Sequence, residues 1–149
     1  MKDKTIFITG GNDGIGLATA RLFAQLGANV AIMGRRAESN AKAKADLESL
    51  GCRCIAVTGD VSVEADIQGA LEQTMEAFGR LDYAFNNAGI EQVPKPLTAQ
   101  TEEEYDAIFG VNVKGVWMCM KHEIPLMLRS GGGAIVNDSS ASGLHGTRM

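Results

Sequence analysis

Short apolar runs alternate with helix-period segments along the whole chain, and this alternation constrains the fold more than any other feature. Thr5 to Thr9, Asn29 to Met33, Cys54 to Thr58, Tyr83 to Phe85 and Ala134 to Asn137 read as five short strands. Helical spacing fills the intervals, which is the pattern of βα units and a parallel sheet. The first helix runs from about Gly14 to Leu26, with Ile15, Ala18, Leu22 and Leu26 on one face, and Gly27 ends it. A polar helix follows through Ala41 and Leu47 to Leu50, closed by Gly51. The next starts after Ser62 as N-cap, carries Ile67, Ala70, Leu71, Thr74, Met75 and Phe78 as its stripe, and stops at Gly79. Thr101 and Glu104 form a capping box. The long helix it opens is expected to turn Tyr105, Ile108, Phe109, Val116, Cys119 and Met120 inward, with Pro125 kinking it or marking its end. Gly131-Gly132-Gly133 is a loop.

Five strands separated by four helices in strict alternation give an α/β chain. Right-handed crossovers then predict a doubly wound parallel sheet in the order 3-2-1-4-5. Ligands of such sheets sit beyond the carboxyl ends of the strands, where the order reverses. At 149 residues, one domain spanning 1–149 is the natural count, and no internal repeat or low-complexity linker divides it.

Charge and cysteine usage exclude several classes. A net charge of −4 argues against generic attraction to nucleic acid or anionic membrane. No apolar run is long enough to span a bilayer, and Met1-Lys2-Asp3-Lys4 enters the first strand without a secretory signal. Cys52, Cys54 and Cys119 are odd in number and lack metal-ligand spacing, which suits a reducing cytoplasm. Cys52 and Cys54 alternate along a predicted strand, so core packing is their expected role.

The first strand meets the first helix through Thr9-Gly10-Gly11-Asn12-Asp13-Gly14-Ile15-Gly16. Glycines let a backbone turn sharply and approach a bulky anion, and a helix start offers N–H groups and partial positive charge. The loop is thus a candidate pyrophosphate cradle, with Thr9, Gly10, Asn12, Asp13, Gly14, Ile15 and Gly16 as candidate contacts. A structural turn is the plainer alternative. No G-K-[ST] is present, which argues against an ATP-binding loop. The spacing is T-G-x-x-x-G-x-G, and in this it resembles the short-chain dehydrogenase/reductase family, a group with Rossmann-type folds. Three later segments strengthen the resemblance in order and spacing: Asn86-Asn87-Ala88-Gly89, Asn112-Val113-Lys114-Gly115, and Ser139-Ser140 followed by Gly143-Leu144.

That resemblance implies a nicotinamide cofactor. The second strand ends in Met33-Gly34-Arg35-Arg36, where a dinucleotide fold contacts the adenosine ribose. Gly34 stands where NAD-preferring relatives often carry Asp. It is expected to leave space, while Arg35 and Arg36 can grip a 2′-phosphate. Otherwise the two arginines are simply solvated at a helix start, opposed to its dipole. NADP(H) is therefore favoured, with NAD(H) possible. Asp13 departs from the basic residue that some NADP-preferring members carry there. Asp60-Val61 has two compatible readings, a contact to the adenine amino group and helix-entry punctuation. Asn86 is expected to be structural, and the resemblance implies that Asn87, Ala88, Gly89 and Ile90 border the ribose and nicotinamide.

Asn112 falls on the expected inward stripe of the long helix. A buried amide without partners costs about 1–3 kcal/mol, so it needs backbone, water or a functional group. The alternatives are a satisfied core asparagine and, by resemblance, a helix-distorting residue that holds a water in a proton relay. In similar proteins the second serine of the pair bonds the substrate oxygen, which selects Ser140; a loop of small polar residues is the plain alternative. The family's tyrosine and lysine, in Y-x-x-x-K, are expected shortly after Met149. Tyr83 and Tyr105 do not supply that pattern, and His122 and His145 read as ordinary surface residues.

The implied reaction is hydride transfer between nicotinamide and a small-molecule carbonyl or secondary alcohol, with homo-oligomers of the full-length parent built through the long helix. The 149 residues alone are expected to turn over little. The competing class is a catalytically silent NADP-binding or interaction module. Flavin or mononucleotide binding is disfavoured by N-N-A-G and the serine pair.

Overall fold

The computed structural model describes residues 1–141. Five parallel strands form one sheet in the order β3-β2-β1-β4-β5, with β1 Thr5–Thr9, β2 Asn29–Gly34, β3 Cys54–Thr58, β4 Tyr83–Asn86 and β5 Ala134–Asn137. This is the doubly wound, Rossmann-type α/β architecture expected. The helices are α1 Gly14–Gln25, α2 Ala37–Ser49, α3 Glu64–Phe78, α4 Glu102–Phe109 and α5 Val116–Arg129.

Side-chain alternation along buried strands explains the two layers. Ile6, Ile8, Val30 and Ile32 face one side, with Ala20 and Ala24 of α1 and Ala43 and Leu47 of α2. Phe7, Ala31 and Met33 face the other, with Ile67, Ala70 and Leu71 of α3 and Met118, Cys119 and Met127 of α5. Register aligns the strands' carboxyl ends: Thr9 pairs with Met33 and with Asn86, Met33 with Val57, and Asn86 with Asn137. This row ends β1, β4 and β5, and β2 and β3 run one residue further, to Gly34 and Thr58, so all five strands finish at a common rim.

Several helix faces differ from expectation. In α1, Ile15, Leu22 and Leu26 are exposed, and the buried residues are Gly16, Ala20 and Ala24. Small residues at four-residue spacing let α1 sit close on the sheet, with Leu17 and Phe23 packed at the edges of that contact and Ile15, Leu22 and Leu26 turned outward. Helix α2 runs through Ala41 and Leu47 as expected, whereas α3 is capped by Val63, since the Ser62 hydroxyl donates to Asp60 instead. The capping box at Thr101 and Glu104 forms as expected. The long helix is not continuous. A π-helical stretch, Gly110–Gly115, separates α4 from α5 and rotates the faces between them. Tyr105 and Phe109 consequently stack on each other at the surface, with ring centroids 4.1 Å apart, rather than entering the core. Cys119 is buried as expected. Pro125 lies within α5, which continues to Arg129.

Cys52 precedes β3 and is half-buried, whereas Cys54 packs in the core. Burial pushes the Cys54 thiol up to about 12. Both thus behave as packing residues, and the described residues contain no cluster of three metal-ligating side chains. Among them, no helix is long and apolar enough to cross a membrane.

Candidate functional site

A cleft of about 300 Å³ opens at the carboxyl rim of β1 to β4. Its lining joins Gly10, Asn12, Gly34, Arg35, Arg36, Asp60, Val61, Asn87, Ala88, Gly89 and Ile90. The structure thus brings together candidate residues from four separate loops. Asp13, Gly14, Ile15 and Gly16 continue the loop from the cleft into the first turn of α1.

The glycine loop is built around close backbone approach. A Cβ on Gly16 would overlap the Gly10 carbonyl and lie 2.6 Å from Asn87 Nδ2. Gly14 has φ +50°, and a Cβ there would meet nothing within 4 Å. The start of α1 is therefore open above the loop, leaving room for an anion at a helix N-terminus. Asp13 caps α1, its Oδ1 accepting from the Gly14 N–H at 2.8 Å.

Thr9 and Asn87 lock this loop to the one after β4. The Thr9 hydroxyl accepts from the backbone N–H of Asn87 and of Ala88, both at 3.1 Å. Asn87 Nδ2 in turn donates to the carbonyls of Thr9 and Gly10. Asn86 has the structural role expected: it is buried and donates to Asn137 Oδ1 on β5 and to the Glu123 carboxyl on α5.

Asn112 does not point into the core. It is exposed, at the π-helical stretch, and grips one residue on both sides. The Ile90 N–H donates to its Oδ1 and its Nδ2 donates to the Ile90 carbonyl, each at 2.9 Å. Backbone is thus the partner that its amide requires. Gly115, in the same stretch, brings the helix to Val61, whose carbonyl would lie 3.0 Å from an added Cβ.

The ribose end differs from expectation in one respect. Gly34 does not leave empty space, because a Cβ there would collide with Asn12 Nδ2 and stand 2.8 Å from Asn40 Oδ1. Sequence reasoning missed Asn40, although a polar residue in register with Ala43 and Leu47 was a readable signal. Arg36 pairs with Asp13 at 3.4 Å across an exposed gap, while Arg35 lines the cleft. Asp60 Oδ1 accepts from both the backbone N–H and hydroxyl of Ser62, so its punctuating role is observed.

Ser140 lies three residues beyond β5, on the same rim as the cleft. Ser142, Gly143, Leu144 and His145 lie outside the described residues. His122 is less ordinary than expected. It shares the Glu64 carboxylate with Lys121, at 2.7 Å each.

Residues 4–149 match the family described as short chain dehydrogenase. The chain belongs to that family. Among its short chain dehydrogenase relatives is the A-factor type γ-butyrolactone 1′-reductase (1S-forming) of Streptomyces virginiae, 43% identical over 148 residues, covering 99% of this chain and 58% of the relative. The crystal structure of levodione reductase superposes with a TM-score of 0.94 at 33% identity, covering 99% of this chain and 58% of that one. NAD⁺-bound xylitol dehydrogenase gives 0.94 at 29% identity, covering 98% and 56%. The chain therefore spans under three-fifths of the length of these short chain dehydrogenases.

Proposed function

We propose that these residues form the cofactor-binding part of an NADP(H)-dependent oxidoreductase that interconverts a small-molecule carbonyl and a secondary alcohol. The observation that carries this reading is the cleft at the strand rim, floored by a glycine turn bonded to N-N-A-G through Thr9 and Asn87. The residues fit such a group: open space at Gly14 above a helix start, and a cation, Arg35, on the ribose side. A nicotinamide held there supplies or accepts the hydride.

In this reading Gly10, Gly14, Ile15 and Gly16 cradle the pyrophosphate, with Asn12 and Asp13 shaping the loop. Arg35 and Arg36 receive a 2′-phosphate, Asp60 and Val61 border the adenine, and Asn87, Ala88, Gly89 and Ile90 border the nicotinamide side. Ser140 bonds the substrate oxygen and stabilises charge that develops on it. Asn112 fixes Ile90 and orders water on the path of the proton. The 149 residues contain no Y-x-x-x-K, so by themselves they turn over little. Exposed Tyr105, Phe109, Val113 and Trp117 support association of whole subunits through this face. Net charge and unpaired cysteines support a cytoplasmic setting without nucleic-acid partners.

NAD(H) remains an admissible cofactor, as the NAD⁺-bound xylitol dehydrogenase likeness favours. The test is a fluorescence titration of the chain with NADPH and NADH in parallel. Saturable binding of both, with NADPH tighter, is expected. A tighter grip on NADH overturns the roles of Arg35 and Arg36, and no binding of either overturns the cofactor reading.

A further inference from the structure

Asn40 closes the first turn of α2 and is 3% exposed. Its Nδ2 lies 2.8 Å from the Gly34 carbonyl, 3.1 Å from the Val57 carbonyl and 3.2 Å from the Thr58 hydroxyl. Carbonyl oxygens only accept, so this end of the amide must be the NH₂. Its Oδ1 therefore faces Asn12, which can answer only by donating, and Asn12 Nδ2 does so at 2.7 Å. Asn12 is left with its carbonyl oxygen as the free end, and Asn12 borders the cleft.

We infer that Asn40 is a positioning residue for cofactor choice: by fixing the Asn12 amide over Gly34, it presents a neutral hydrogen-bond acceptor to the adenosine ribose. The inference rests on the dinucleotide reading above. The Asn12 amide fills the volume that a side chain at position 34 would need, so a carboxylate cannot stand there without displacing it. A neutral acceptor receives a ribose hydroxyl as an acid would, but without a full negative charge to repel a phosphate. Arg35 borders the same cleft and supplies the cation that a 2′-phosphate needs. The two together make the ribose end tolerant: NADP(H) is gripped by Arg35, and NAD(H) is admitted by Asn12.

The experiment is titration of the 149-residue chain with NADH and with NADPH, comparing the parent with Asn40→Leu and Asn12→Ala, and reading the ratio of the two dissociation constants. Loss of one neutral hydrogen bond predicts NADH weakened about 5-fold in either variant, with NADPH changed much less. A general loosening of the loop would weaken both cofactors equally and leave the ratio unmoved, which overturns the inference. So does an unchanged affinity for NADH. Asn12→Ala leaves the Asn40 bonds to Gly34 and Val57 in place, so it decides the matter if Asn40→Leu fails to fold. A parent that binds neither cofactor overturns the dinucleotide reading itself, a result distinguishable from the others.

Discussion

Asn86 donates its side-chain amide to the Glu123 carboxyl at 3.1 Å, and neither residue is more than 2% exposed. Asn86 Oδ1 and Glu123 Oε1 accept no hydrogen bond among the described residues. A buried carboxyl with one oxygen left without a donor favours its protonated form. Burial accordingly pushes the Glu123 carboxyl from 4.5 up to about 7, against the lowering effect of the Asn86 bond.

The sign of the pH dependence follows from that shift. Between pH 4.5 and about 7 the unfolded chain has released this proton and the folded chain has kept it. Folding then takes up a proton, and stability falls as pH rises through the window. Glu123→Gln keeps the shape and cannot ionise. Denaturant melts should find it more stable than the parent by about 3 kcal/mol near pH 8, with the gain vanishing near pH 4. An equal difference at both pH values would refute the buried neutral acid.

Asp82 has the opposite sign. Burial opposes its charge, but the Arg80 guanidinium, the Lys4 ammonium and the Thr5 N–H overcome that and pull the carboxyl from 3.8 down to about 2. Its stabilising effect is complete above pH 3.8 and is lost as pH falls toward 2. Asp82→Asn should lower stability by about 2 kcal/mol at neutral pH, and the gap between variant and parent should close in acid melts.

Two glycines give a paired test of backbone approach. Gly16→Ala drives a methyl into the Gly10 carbonyl and Asn87, neither of which can yield freely. It should cost about 2–4 kcal/mol and abolish NADPH binding. Gly69 lies inside α3, where a Cβ would meet nothing within 4 Å. Gly69→Ala should stabilise the chain by about 0.5–1 kcal/mol and leave binding unchanged.

Asn112→Ala removes both bonds to Ile90 from an exposed position. Global stability should fall by only about 1 kcal/mol. The Ile90 amide should exchange with solvent at least about tenfold faster, since local opening no longer breaks that pair. Unchanged exchange at Ile90 would mean that Asn112 does not hold the loop.

The strands were legible because each is a short apolar run bounded by turn residues, including β5, whose Ala134 and Val136 are exposed at the sheet edge, and the glycine turn because its spacing leaves few other uses. Helix faces were harder. In α1 the bulky Ile15 and Leu22 mark the outside, since close contact with the sheet selects Gly16, Ala20 and Ala24. The long helix misled because the π-helical stretch shifts its phase, and period alone carries no trace of that shift. Asn40 and Glu123 escaped notice for a common reason. Each is polar at a buried helical spacing, Asn40 with Ala43 and Leu47, Glu123 with Cys119 and Met127. Such residues look like solvated surface until their partners, which are distant in sequence, are known.

The Thr9 hydroxyl, receiving two successive amides of the neighbouring loop, pins the central strand to the loop after the fourth, and the Asn87 amide doubles the pin. Neither lip of the groove can swing without the other. Adaptation to ligands of different shape must therefore come from the outer margins, while the middle behaves as an anvil.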